Sequence, residues 1–247
     1  MTEEIAIHAH QLTKRFGDFT AVDAIDLDVR SGEIFGFLGA NGAGKTTAMK
    51  MFIGLSRPTS GEARVAGFDV YTESEKIKRS IGYMSQRFSL YNDLTVRENI
   101  RFYGGVYGLD DKRLKQRTEE LIEELDLRDH ARTRLVELPL GWKQKLAFSV
   151  ALIHEPRIVF LDEPTGGVDP ITRRQFWEMI YAAAARGVTV FVTTHYMDEA
   201  EYCHRASIMV DGVMAACDTP DALKRKFNAE SMDEVFYQLA RGGKRGE

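Results

Sequence analysis

The chain has 247 residues, enough for one large α/β domain or two small ones. Hydrophobic residues make up 44% and charged residues 28%, the proportions of an ordinary globular protein. The formal net charge of -4 removes the basic footprint expected of a nucleic-acid binder, and no stretch reaches the roughly 20 apolar residues of a membrane-spanning helix.

The N-terminal residues 1–4 are acidic with no apolar run behind them, so a signal peptide is not expected. Cys203 and Cys217 stand in neither a metal nor a redox spacing; two reduced thiols are expected rather than a redox switch. Residues 5–38 read as strands separated by turns. Residues 21–29 alternate Val22, Ile25, Leu27 and Val29 with acidic residues, as a half-exposed strand would. Residues 34–38 form a short apolar run ending at Gly39, the pattern of a fully buried strand. Glycines cluster next, and a helix is predicted over 46–54. Strands are predicted over 63–65 and 81–84. The pattern is helical from 95 to about 151, with segments at 95–107, 113–127 and 141–153. Buried strands are then expected at 157–161 and 188–193 around a helix at 172–186. Residues 207–213 and 215–218 are expected to form a hairpin around Asp211 and Gly212. The tail 241–247 is expected to fray. An α/β core interrupted by a mostly helical insertion at 88–155 follows from this order.

Residues 39–46 fit G-x-x-x-x-G-K-[ST]. Gly39, Gly42 and Gly44 let the backbone turn its N–H groups inward around phosphate oxygens. The helix that follows adds its positive end. Lys45 supplies charge to the β- and γ-phosphates, and the Thr46 hydroxyl can ligate Mg²⁺. The nucleotide-contacting set is therefore Gly39, Ala40, Asn41, Gly42, Ala43, Gly44, Lys45, Thr46 and Thr47, with ATP and Mg²⁺ as ligands. A second half of the site is expected at the C-terminal end of a buried strand. Residues 158–163 provide it, with Asp162 as a Mg²⁺ ligand and Glu163 placed to polarise the attacking water.

These motifs, with the residues between and after them, resemble the nucleotide-binding subunit of an ABC transporter over nearly the whole chain. The resemblance implies a P-loop NTPase fold with a RecA-like core, an N-terminal antiparallel β subdomain and a helical insertion. The implied division of the single domain 1–247 is 1–87 with 156–220 as core and β subdomain, 88–155 as helical subdomain, and 221–247 as C-terminal helix and tail. Gln86 matches the Q-loop glutamine, implying contact with Mg²⁺ and water and communication with a membrane subunit. His195 matches the switch histidine at the γ-phosphate, and Phe16 the aromatic that stacks on adenine. Asp169 matches the D-loop residue at a dimer seam.

The sequence departs from the family at its signature, Leu-Ser-Gly-Gly-Gln, which faces the ATP of a second subunit. Here it reads Leu138, Pro139, Leu140, Gly141, Trp142, so the serine hydroxyl is lost while Leu138, Gly141 and the start of the next helix are retained. With Glu163 and His195 intact, turnover is expected to continue. The aromatic stretch 102–108, the run 194–200 and residues 233–236 are similar to ATPases of ABC-2-type exporters. The resemblance implies an ATP-hydrolysing export subunit on the cytoplasmic face of the cell membrane. Its implied partners are an integral-membrane permease and a second ATP-binding subunit, with no nucleic acid. Two alternatives are a non-transport ABC ATPase and a nucleotide-binding regulator with weak turnover. The basic patches Lys224, Arg225, Lys226 and Lys244, Arg245 read as solvated surface.

Overall fold

Two long strands, β1 (Ile5–Phe16) and β2 (Phe19–Arg30), begin the computed structural model, which describes residues 4–86 and 90–241. The tail expectation for 242–247, with Lys244, lies outside the described residues. After them come β3 (Ile34–Gly39), α1 (Lys45–Phe52), β4 (Ser60–Val65), β5 (Phe68–Asp69), α2 (Ser74–Ser80) and β6 (Ile81–Met84). Then follow α3 (Val96–Val106), α4 (Asp111–Glu124), α5 (Leu140–Ala151), β7 (Ile158–Asp162), α6 (Pro170–Ala185) and β8 (Thr189–Thr194). The chain closes with β9 (Arg205–Val210), β10 (Val213–Asp218), α7 (Pro220–Phe227) and α8 (Met232–Arg241).

The strands form two sheets. One is antiparallel, in the order β2-β1-β4-β5; the other runs β10-β9-β3-β8-β7-β6. In the second sheet β9, β3, β8, β7 and β6 are parallel and only β10 is antiparallel. The central strands β3, β7 and β8 are buried along their whole length; β3 and β7 are apolar runs, whereas β8 buries three threonines with Val190, Phe191 and Val192. Phe191 on β8 is packed by Phe35, Phe37, Phe52 and Phe160, with ring centroids 5.3–5.7 Å away. Phe52 belongs to α1, so this aromatic cluster pins the helix against the sheet just beyond the glycine loop. Burial of each such ring is worth about 1.5–3 kcal/mol.

Helices α3, α4 and α5 lie between β6 and β7, which are neighbours in the sheet. Thr95 starts α3 with a capping box to Glu98, and Asp110 caps α4. Their apolar faces share one core with the sheet: Ile100, Leu121, Leu146 and Phe148 join Val159, Leu161, Val190 and Val192. The edge strand β6 is covered by side chains of the helical segment. His154 Nε2 donates to the Ile81 carbonyl at 3.1 Å, and the Tyr83 N–H donates to the Tyr107 phenol oxygen. The two rings stack at 3.8 Å.

This contact carries a pH prediction. Burial holds His154 below its ordinary value, and Nδ1 has no hydrogen-bond partner to receive a second proton's charge. The unfolded chain takes that proton near pH of about 6.5 and so binds more protons than the folded chain below it. Stability from His154 is full above that pH and is lost as pH falls through it. A melting series from pH 7.5 to 5.5 should show the decline, and His154→Gln, which can still donate to Ile81, should flatten it. An unchanged slope would refute the assignment.

Three details differ from the sequence expectations. Val213 opens β10 instead of closing β9, because Asp211 and Gly212 adopt the left-handed pair of a two-residue hairpin turn (φ 52 and 87). The C-terminal segment holds two helices, α7 and α8, separated where Asn228 turns left-handed at φ 48. The short elements β5 and α2 carry too few apolar residues to show a period.

Candidate functional site

The glycine loop leaves the C-terminal end of β3 and closes on α1. Gly44, the cap of α1, has φ 106, and a Cβ there would stand 2.4 Å from the Ala21 carbonyl. Only glycine permits both the conformation and the approach. The loop is braced from outside, since Gly212 N–H donates to the Ala43 carbonyl at 3.0 Å and Asp23 N–H to the Gly212 carbonyl at 2.8 Å. Asn41, Gly42, Gly44, Lys45, Thr46 and Thr47 line a cleft of about 340 Å³ together with Phe19, Ala21, Gln86 and Glu163.

Lys45 is buried, and its ammonium folds back onto the loop, donating to the carbonyls of Gly39 (2.6 Å) and Ala40 (3.1 Å). Burial lowers its pKa, and the neighbouring Glu163 and Asp162 partly restore it. Asp162 ends β7 and is buried; Thr193 Oγ1 on β8 donates to its Oδ1 at 2.6 Å. Burial raises the Asp162 pKa; Thr193 opposes the rise, Glu163 adds to it and Lys45 opposes it.

Glu163 is the point on which the site converges. Its backbone is left-handed at φ 48, unusual for a residue with a side chain, and its N–H donates to both Thr193 oxygens at 3.1 Å. Gln86 Nε2 donates to Glu163 Oε2 at 2.8 Å. Lys45 Nζ lies 3.6 Å from Oε1. His195 Nδ1, just past β8, lies 3.1 Å from Oε2, but out of line for a hydrogen bond. Lys45, Gln86, Asp162, Glu163 and His195 are therefore one cluster, drawn from four strand ends of a parallel sheet.

Phe16 is 55% exposed at the β1–β2 hairpin with Lys14 over its ring, and Phe19 opposite it is the aromatic that lines the cleft. Leu138 is buried in the core, its side chain facing inward. Trp142 also turns inward, edge-on to His130. Pro139 is the cap residue of α5 and offers no side-chain hydrogen bond. Gly141 packs the start of α5 against α6, since a Cβ would meet Thr172 Cγ2 at 2.6 Å. Asp169 caps α6, accepting from the N–H of Ile171 and Thr172 and from the Thr172 hydroxyl, so its carboxylate is committed within the chain. Sequence reasoning missed Thr193, which orients both acids, because a threonine near a strand end carries no pattern of its own.

A divalent cation fits the donor set. Two carboxylates and one ammonium leave the cluster short of positive charge, and Thr46, Asp162 and Gln86 offer hard oxygen atoms. Among the described residues no three His, Cys, Asp or Glu side chains form a metal cage. Magnesium bound through one carboxylate and phosphate oxygens needs none. Both cysteines are free, and burial raises the pKa of each thiol.

A phosphate-cradling loop after β3 and an acid pair at the end of β7 define a P-loop nucleotide-binding protein. The ABC transporter family model matches residues 22–166. The chain is 50% identical over 241 residues to the "Probable multidrug ABC transporter ATP-binding protein YbhF" of Escherichia coli (strain K12), covering 96% of this chain and 42% of that protein. It is 36% identical to the "Daunorubicin resistance ATP-binding protein DrrA2" of Streptomyces coeruleorubidus, over 95% of this chain and 73% of that one. A solved ATP-binding subunit of an ABC transporter superposes with a TM-score of 0.84 at 27% identity, covering 95% of this chain and 99% of that one. The chain belongs to the ABC transporter family of ATP-binding proteins. It spans less than half the length of the YbhF relative.

Proposed function

We propose that this chain hydrolyses ATP and drives export through a membrane permease, working on the inner face of the cell membrane in a pair of ATP-binding subunits. The observation that carries the hydrolytic reading is the convergence of Gln86, Lys45 and His195 on Glu163, beside Asp162. Loop N–H groups and the start of α1 would bind the phosphates, and Lys45 would turn from the Gly39 and Ala40 carbonyls to the β- and γ-phosphates. Mg²⁺ held by Thr46, Asp162 and Gln86 would neutralise phosphate charge. Glu163 would accept the proton of a water whose oxygen bonds to the γ-phosphorus as the bond to the bridging oxygen breaks and ADP leaves. His195 would bond the γ-phosphate, and Phe16 would carry the adenine.

Pairing with a second subunit is supported by Leu140 at the start of α5 and Ile171 at the start of α6, which are 39% and 72% exposed. Permease docking at the 88–155 helical subdomain is supported by the Tyr91, Phe102 and Tyr103 ring cluster, with Tyr91 and Phe102 exposed. Among the described residues no helix is long and apolar enough to cross a membrane, so the transport path would belong to the partner. Drug export fits the printed names of the multidrug and daunorubicin-resistance relatives. Purification from detergent-solubilised membranes is expected to bring down an integral-membrane protein in fixed ratio. Recovery with ribosomes or DNA instead would refute the transporter reading.

A further inference from the structure

The run 194–200 contains a buried acid that the site described above does not use. Glu199 is 0% exposed. Its Oε1 accepts from Thr165 Oγ1 at 2.5 Å and lies 3.7 Å from Arg173 Nε. Thr165, also buried, sits on the loop that joins Glu163 to Asp169. Arg173 lies in the first turn of α6, its N–H bonded to the Asp169 carbonyl at 2.9 Å. The Arg173 guanidinium covers the Tyr196 ring at 4.4 Å and reaches Asp198 at 3.4 Å. The Tyr196 ring in turn rests against His195 at 4.2 Å. The same loop is held from its other side by α5, where Gln144 Nε2 donates to the Gly166 carbonyl at 3.3 Å.

One carboxylate thus ties the segment that begins at His195 to the loop that runs from Glu163 to Asp169. A fully buried charge is an expensive way to fill space, and an apolar side chain of similar size would do so at lower cost. What a charge adds is a defined geometry between the groups bonded to it. Arg173 Nε and Glu199 Oε2 are both buried without a hydrogen-bond partner in this structure, so the pair stands one small shift of α6 from a closed, bonded arrangement.

We propose that Glu199 is a positioning residue. Through Thr165, Arg173 and Tyr196 it sets His195 relative to Glu163 and couples that setting to the position of α6. The proposal rests on the reading of Glu163 and His195 given under Proposed function. Glu199→Gln keeps the shape and the bond from Thr165 but removes the charge that faces Arg173. Thr165→Val keeps the charge and removes the 2.5 Å bond. Each variant is expected to lower kcat for ATP about tenfold, short of the roughly 10²-fold that an ångström-sized misplacement can cost, with KM changed less than about twofold. Combined with His195→Ala, Glu199→Gln should be no slower than His195→Ala alone, because the two act through one group. Losses that multiply, or a raised KM with kcat intact, would overturn the proposal. A second readout does not depend on turnover: the His195 ring signal in NMR of the full chain should move in both variants, while that of His8 on β1 stays. An unmoved His195 signal would overturn the proposal even in an active enzyme. A wild-type chain without turnover would refute the hydrolytic reading and leave the NMR result to decide this one.

Discussion

Glu163→Gln is expected to lower ATP turnover by about 10²- to 10⁴-fold, the range of a lost general base. Glutamine matches the volume of glutamate and keeps oxygen and nitrogen atoms for the Gln86 and His195 contacts, so the cleft should keep its shape. Binding should persist, since one negative charge is removed from beside the phosphates. Phosphate release at saturating ATP, set against calorimetric ATP binding, separates the two effects. Turnover equal to wild type would remove Glu163 from the mechanism and leave the cluster without a base, because Asp162 is buried and bonded to Thr193.

Lys45→Met should have the second large effect, on binding itself. The ammonium is buried between the loop carbonyls and Glu163, with Asp162 close enough to act on it. Methionine keeps the apolar stem and removes the charge. Two acids then face the incoming phosphates with nothing to offset them. Truncating one partner of a buried charge cluster costs about 2–5 kcal/mol, roughly 30- to 4,000-fold in the dissociation constant for ATP. Calorimetry with Mg·ATP measures it directly. A dissociation constant within a fewfold of wild type would mean that the loop N–H groups hold the triphosphate without the lysine. Because the variant also leaves Asp162 and Glu163 uncompensated, it should melt at a lower temperature than wild type at neutral pH. Addition of ATP should recover less of that loss than it does for wild type.

The signature stretch shows how far a motif comparison reaches. Sequence alone marks Pro139 as a lost hydroxyl. The structure adds that Leu138 and Trp142 turn into the core and that Gly141 is held by contact with Thr172, so the stretch serves first as the joint between α5 and α6. Toward solvent it leaves Pro139 and Leu140.

The sequence by itself determined the elements whose cause is local. Apolar runs specify β3 and β7 as buried strands, Thr95 and Glu98 start α3, and Asp211 with Gly212 turns the last hairpin. The glycine spacing before Lys45 and the Asp162–Glu163 pair after an apolar run were legible for the same reason: each is a property of a few consecutive residues. Only the tertiary structure decided what depends on distant parts of the chain meeting. Gln86, Glu163 and His195 converge because β6, β7 and β8 are parallel neighbours whose C-terminal ends share one edge, and no local pattern encodes that order. Thr193 orients Asp162 across two strands, His154 covers the edge of β6, and Glu199 meets Thr165 and Arg173. In each case the partner is chosen by burial and hydrogen-bond satisfaction in the packed core, which no stretch of sequence carries alone.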